Sequence, residues 1–582
     1  MKMNRLYRNA MAVLALALGV MTTACSDWDD HYAASDMTML PGANANLWDN
    51  IKSNEQLTRF ASLLEKAGYD SILSTSQTYT VWAPVNSVLE ADYARLNSLS
   101  KEELVREFVK NHIARNLYTA SGSFDQKVLM LNKKIISFAG NGSYTMGDAQ
   151  VVEANIPNYN GIMHMLNGEI AFNYNLYETI DSTKFPFDSL HAYFARYERR
   201  VFVPSSSVAG SIVNGEITYI DSVFNEDNAL FYSRYAYLNR EDSSYTMIAP
   251  SDIAWRKAYD RISKYFNYVD GYKFIDRSDN PVDTVINFNA GYLRDSLIKE
   301  SITEDLFFNN HYKTNKDLLT LQPGQAFPSN DSLFTTNNTR RPFYAFDATE
   351  MFAEGQKLER SNGYMWIVDS LRMFPWRTFA PIIKVEAEYA YTVVPELYKS
   401  ATSAVYATTQ NPYVPGHVSS NRYLTVWNDA SATANPTFHM YLPNILSTNY
   451  AIFGVFVPAN ISDSSIVKEK VLPNRVRAQM YYNQANGTAA RTAKTIGTIT
   501  TNPEKVDTVL FGEFEFPIAY RGTSTSGQTY LPSLTFTGQA RKDREDYNIR
   551  LDCIILVPKE LILYIQEHPE YLEYYPEYKN FL

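Results

Sequence analysis

The stretch Tyr79-Thr80-Val81-Trp82-Ala83-Pro84-Val85-Asn86 admits one local reading: a short strand that runs into proline and turns into a helix. Thr80, Val81 and Trp82 suit a pleated, half-buried surface. Pro84 has no N–H for a ladder and pushes Ala83 out of the helical region, so the strand ends there. Ser87-Val88-Leu89-Glu90 then has the S-x-x-E spacing of a capping box. The same grammar returns at Tyr245-Thr246-Met247-Ile248-Ala249-Pro250-Ser251-Asp252, where Ser251 or Asp252 is placed to cap the next helix. One supersecondary unit is therefore expected twice.

A chain of 582 residues exceeds a single core and predicts about three units. Its first 24 residues read as targeting sequence: Lys2, Arg5 and Arg8 precede an apolar run over 11–20, too short to span a bilayer, and small residues lead to Ala24-Cys25. This resembles a bacterial lipoprotein signal in which Cys25 becomes the lipidated N-terminus; Thr22 stands where that motif usually has Leu. The alternative is an ordinary secretory signal with Cys25 incidental. Residues 25–44 form a polar tether. Its opening acidic run, Ser26-Asp27-Trp28-Asp29-Asp30, resembles the surface-export signal of Bacteroidetes lipoproteins. Together these imply an outer membrane location, lipid-anchored and facing the medium. Losing residues 1–24 removes three basic and no acidic residues, which moves the formal net charge from −10 to −13 and argues against nucleic acid as a partner. With Cys25 as anchor, Cys553 has no disulfide partner within the chain; in Leu551-Asp552-Cys553-Ile554-Ile555 it reads as a small apolar residue in a strand.

Ordered structure is expected from Leu47. Leu57, Phe60, Leu63 and Leu64 recur at helical spacing before Gly68, a helix is predicted over 102–113, and strand-like runs cover 128–131, 134–138 and 149–154. The unit closes on Asn160-Gly161-Ile162-Met163-His164-Met165-Leu166. In this order the motifs resemble a fasciclin-like domain over residues 45–173. Ala83, Pro84 and Asn86 match its first box, His112 its helix histidine, and Gly161 and His164 its second box; Asn111 stands where the family often has an aromatic. The resemblance implies an α+β fold. His112 and His164 invite a metal-pair reading, but zinc needs a third ligand and no Cys or His stands at ligand spacing, so packing histidines, no metal and no cofactor are expected.

Residues 174–380 resemble the same family in a divergent second copy. Pro250 answers Pro84, and Asn310-His311 is aligned with Asn111-His112. Asn362-Gly363-Tyr364-Met365-Trp366 answers the second box, with Trp366 at the place of His164, which favours packing over chemistry. The growing offset implies an insertion, placed near residues 266–292, which serves either recognition or nothing.

From 381 to 582 the pattern turns to period-two runs at 423–427, 437–442, 450–457, 476–482, 508–516, 533–537 and 548–557, separated by Pro, Gly, Asn and Ser clusters. These predict an all-β antiparallel sandwich, jelly-roll-like, with the tail 568–582 docked on it. Its outline is similar to carbohydrate-binding modules. Tyr406, Tyr413, Tyr423 and Trp427 offer rings for stacking against sugar, or are ordinary sheet residues.

Gly522-Thr523-Ser524-Thr525-Ser526-Gly527-Gln528-Thr529 lacks the lysine of a phosphate-binding loop and reads as a flexible connection, and no catalytic motif appears, so no catalytic residue is assigned. Fasciclin-like domains are adhesion and interaction modules, and Bacteroidetes lipoproteins of this build often accompany SusC/SusD-like importers. The resemblance thus implies a non-catalytic binding or accessory component beside such a transporter, capturing glycan or peptide. An adhesin for host matrix or other cells, and a hydrolase with its site in the sandwich, are the alternatives.

Overall fold

The computed structural model describes residues 43–274, 284–286, 288–328, 332–337, 342–392, 401–407, 409–462, 465, 470–523 and 531–582. The signal (1–24), Cys25, nearly all of the tether (25–44), residues 275–283 and 287 of the expected insertion, and 524–529 of the phosphate-loop-like stretch lie outside them. The chain divides into two compact units. One runs up to Tyr174 and includes Arg200–Glu226; the other comprises Asn175–Arg199 and Asp227–Leu582. Among the described residues no helix is long and apolar enough to cross a membrane.

The first unit is built on a seven-stranded sheet: β1 (Tyr79–Pro84), β2 (Ile113–Arg115), β3 (Ser123–Leu129), β4 (Ile135–Asn141), β5 (Tyr144–Met146), β6 (Ala149–Asn158) and β7 (Gly161–Leu166), in the order β2-β1-β7-β6-β5-β4-β3. Only β1 and β7 pair in parallel, Tyr79 opposite Gly161 through Pro84 opposite Leu166. Both are buried along their whole length, as a parallel pair requires. Strand alternation sorts the side chains: Tyr79, Val81 and Ala83 join Phe60, Leu63, Leu64 and Phe108 from the helices, whereas Trp82 joins Val128, Phe138 and Met146 on the other face. Gly68, at φ 77°, ends the helix Thr58–Ala67 as expected.

Two local expectations change. Ser87 lies inside the short helix Asn86–Leu89, whose cap position is Val85; the capping box forms at Ser100 and Glu103 instead. The predicted helix over 102–113 is a chain of tighter and wider turns, Lys101–Leu104, Val105–Val109 and Lys110–His112, because Ile113 already enters β2. The hairpin Val208–Val213 and Glu216–Asp221, which a boundary at 174 assigns to the second domain, belongs to this unit; Lys110 Nζ lies 3.1 Å from the Asp221 carboxylate.

In the second unit Tyr245–Pro250 repeats the arrangement of β1. It pairs in parallel with Gly363–Val368, Tyr245 opposite Gly363 through Pro250 opposite Val368, and antiparallel with Phe307–Asn309. Ser251 caps the following helix, accepting from the Ala254 N–H. The lengthening relative to the first unit falls between Pro250 and Phe307. Its described residues include Tyr265–Tyr272. They dock on the C-terminal region, the Tyr268 hydroxyl donating to the Arg521 carbonyl at 2.7 Å and that of Tyr272 to the Ala519 carbonyl at 2.6 Å.

Two antiparallel sheets follow. One orders Ala401–Ala407, Arg422–Asn428, Ile549–Pro558, Asn449–Phe456 and Asp507–Glu515, with Ile383–Glu386 also paired to Ile549–Pro558; the other orders Tyr391–Thr392, Thr437–Tyr441, Ser533–Gly538, Arg475–Tyr481 and Lys494–Thr500. Leu424, Val426, Ile452 and Leu551 of the first share an apolar cluster with Phe438, Val476, Leu534 and Phe536 of the second. The tail docks on more than these sheets. Tyr571, Tyr575 and Tyr578 pack with Phe374 and Trp376, which precede the sheets in the chain, as well as with Ala451 and Phe453.

Candidate functional site

The box residues of the first unit converge on the β1–β7 pair, where Asn160, His112 and His164 are engaged and the Trp82 indole N–H has no partner among the described residues. Asn160 accepts from the Leu47 N–H at 2.8 Å and donates to the carbonyls of Leu73 and Thr75, both at 2.7 Å, tying two helix ends to the sheet. Asn362 does the same in the second unit, with Leu176, Leu238 and Arg240. Neither asparagine stood out by sequence except as the letter before a glycine. That glycine is required by close approach: a Cβ on Gly161 would lie 2.0 Å from the Tyr79 carbonyl oxygen, and one on Gly363 1.8 Å from that of Tyr245. Gly161→Ala should therefore cost about 3 kcal/mol of first-unit stability, read by denaturant unfolding; a loss within ~0.5 kcal/mol would show that the strands separate freely.

His112 is fully buried. Its Nδ1 donates to the Phe108 carbonyl at 2.8 Å, and its Nε2 accepts from the Ile170 N–H at 3.2 Å. Buried His164 uses Nε2 toward the Tyr118 carbonyl at 2.8 Å and Nδ1 to accept from the Asn155 N–H at 3.3 Å, with its ring stacked on Trp82 at 5.7 Å. Burial pushes both imidazoles from 6.5 down to about 4. They sit on opposite faces of the sheet, His112 against Phe60 and Phe108, His164 against Trp82 and Phe138, and neither has a ring nitrogen left for a metal.

Trp366 does occupy the place of His164, opposite Ile248 where His164 is opposite Trp82. The indole has changed strands, so the pair keeps its bulk and loses its imidazole. His311, by contrast, does not occupy the place of His112. Val81 pairs with Ile113, and its counterpart Met247 pairs with Phe307, which puts Leu306 at the position of His112 and leaves His311 exposed in the turn beyond the strand. Ala83, Pro84 and Pro250 are buried strand ends.

The four aromatic residues of the C-terminal region separate. Tyr406 and Tyr423 are cross-strand partners with rings stacked at 5.8 Å, Tyr423 buried beneath and Tyr406 46% exposed. Tyr423 is thus a floor, not a ligand contact. Trp427 is half-buried, with its indole N–H donating to Asp429 at 2.7 Å. Tyr413 is 89% exposed in a loop. Sequence reasoning missed Tyr389, 66% exposed, whose hydroxyl accepts from Arg422 at 3.5 Å, next along the ladder from Tyr423. A cavity of about 410 Å³ lined by Thr378, Phe379, Ile383, Leu446, Tyr450 and Arg521 suits a small molecule; a polymer must use open surface. Among the described residues, one group is placed to hold a metal: Glu386, Asp552 and Cys553.

Residues 55–170 match the family described as Fasciclin domain. This stretch is similar to the fasciclin family. Mouse (Mus musculus) Stabilin-1 is similar at 32% identity over 142 residues, 22% of this chain, which spans only 5% of that protein's length. A fasciclin domain pair from the insect cell adhesion molecule Fasciclin I aligns with 55% of this chain and 98% of its own at 14% identity, TM-score 0.20. The C-terminal family 22 carbohydrate binding module of Clostridium thermocellum Xyn10B aligns with 30% of this chain and 91% of its own at 14% identity, TM-score 0.18. Within residues 55–170 the matched boxes are the buried, hydrogen-bonded framework just described.

Proposed function

We propose that this chain is a non-catalytic binding protein, held at the outer face of an outer membrane by lipid on Cys25, that captures glycan or peptide beside a SusC/SusD-like importer. The observation that carries the binding role is the engagement of both ring nitrogens of His112 and of His164 by backbone groups: the fasciclin boxes build a frame and hold no free acid or base. The region 245–368, with the same strand register, acts as a second, divergent copy. The two C-terminal sheets act as a sandwich that displays the ligand surface, with Tyr406, Tyr389 and Tyr413 as exposed rings for stacking.

The test is binding of the purified chain to a glycan and peptide panel. Tyr406→Ala should weaken capture about five- to thirtyfold without moving the melting temperature, as expected for one lost stacking contact of about 1–2 kcal/mol. Equal capture by Tyr406→Ala and Tyr413→Ala overturns the surface, and product release from any panel member restores the hydrolase reading. Pull-down from native membranes tests the partner: co-purification of a β-barrel importer is expected.

Adhesion to another protein is the second reading, favoured by exposed apolar side chains. Val201, Ile212, Val213, Ile217 and Ile220 are each 46–70% exposed on the strands of Arg200–Glu226. Charged residues at Ile212 and Ile217 that abolish cell binding while leaving glycan capture intact would select it.

A further inference from the structure

A cluster of carboxylates forms where the second repeat passes into the C-terminal sheets. Ile383–Glu386 runs antiparallel to Ile549–Pro558 and sets Glu386 opposite Cys553. On the other side of that strand the ladder slips: Val455 pairs with Cys553 but Phe456 pairs with Leu551. Asp552 is the extra residue of a bulge, and a bulge re-aims a side chain, here toward the face that carries Cys553. One ligand atom each from Glu386, Asp552 and Cys553 then lies within 4.8 Å of the other two.

The polar groups around them leave this cluster unfinished. Asp552 is 1% exposed; its Oδ2 accepts from the Ser419 N–H at 3.0 Å, and its Oδ1 has no partner. Glu386 Oε1 accepts from Ser419 Oγ at 2.6 Å and pairs with Lys384 Nζ at 3.0 Å, while its buried Oε2 has none. Glu388, 6% exposed, has no hydrogen-bond partner at either carboxylate oxygen among the described residues. One ion-paired lysine against three carboxylates leaves a negative excess in a dry place, and Arg422 acts on Glu388 only from an exposed position. Buried carboxylate oxygens without donors are costly unless a cation or a proton completes them.

We propose that Glu386, Asp552 and Cys553 bind one divalent transition-metal ion of the zinc class, with Glu388 beside it. Two carboxylate oxygens and a thiolate are a borderline-soft donor set that suits zinc over calcium or magnesium, which take oxygen alone. Binding forms the sulfur–metal bond and releases the thiol proton to solvent, so affinity rises with pH. The side of Lys384, whose side chain is 43% exposed, gives the ion its way in. The ion would clamp Ile383–Glu386 to Ile549–Pro558, a structural role.

Full-length protein stripped with chelator and titrated with zinc alone should take up one equivalent and melt at a higher temperature. Cobalt(II) alone should give thiolate-to-metal charge-transfer absorption. Cys553→Ser should lose that absorption and weaken zinc at least about tenfold. Asp552→Asn, which keeps the shape and the metal-free fold (checked by circular dichroism), should lose the bound equivalent. Failure to bind zinc at micromolar concentration, unchanged binding in Cys553→Ser, or calcium matching zinc would each overturn the assignment; the first means that shared protons complete the cluster.

Discussion

Replacing Asp347 with alanine is expected to destabilise the second unit by about 3–5 kcal/mol, because it strands a buried guanidinium. Asp347 is 2% exposed and Arg377 4% exposed, with Arg377 Nε 3.7 Å from the carboxylate. The carboxylate also accepts from the hydroxyls of Tyr575 and, at 3.3 Å, Tyr571. Tyr571 in turn accepts from the Trp376 indole at 3.1 Å, and Arg377 donates to Tyr578 at 3.0 Å and lies 4.2 Å from the Tyr575 ring. The tail is held by this network as much as by its apolar contacts. Urea unfolding of Asp347→Ala, Arg377→Met and the double variant checks it. The double should be less damaged than the sum of the singles, since removing both charges leaves none buried alone. Additive losses would mean that the two charges are not coupled.

The second large effect is acid sensitivity of the first unit. His112 and His164 titrate at about 4 in the folded state against 6.5 for a free imidazole, since burial disfavours the charged ring. A folded pKa below the unfolded one means that the unfolded chain binds more protons between them. The stabilisation is therefore complete above pH 6.5 and is lost as pH falls toward 4. Each histidine should remove about 2 kcal/mol between pH 7 and pH 5, a large part of a typical domain's stability. Glu169, whose carboxyl burial pushes up, acts with the opposite sign, so the decisive quantity is the slope. Denaturant midpoints of the first unit at pH 7, 6 and 5 should fall steeply, and His164→Gln should remove about half of that fall whatever its cost at pH 7. An unchanged slope in both His164→Gln and His112→Asn would show that these rings are solvated.

Much of the framework was legible because its signals are local. β-formers running into Pro84 and Pro250 mark two strands that pair identically, and the glycine of each second box falls opposite the first residue of each such strand. The period-two runs found most C-terminal strands to within a residue or two. Ala401–Ala407 and Lys494–Thr500 escaped because small and polar residues blur their alternation. Letters misled where two copies of one word compete. Ser87 and Ser100 both spell S-x-x-E, and only Ser100 stands at a helix start. Asn310-His311 copies Asn111-His112 in letters, but the ladder aligns Leu306 with His112.

The sequence by itself determined the repeated strand–proline–helix unit, the packing character of the histidines in the first copy, and the β-rich C-terminal third. Alternation, proline and capping chemistry act within a few residues, and so can be read without a fold. Tertiary structure alone decided that Asn160 and Asn362 tie helices to the sheet, that the tail binds Asp347 and Arg377, and that Glu386 meets Cys553 beside a bulged Asp552. Such contacts join residues from 85 to more than 200 positions apart. Their partners are chosen by strand register and burial, which no local pattern encodes.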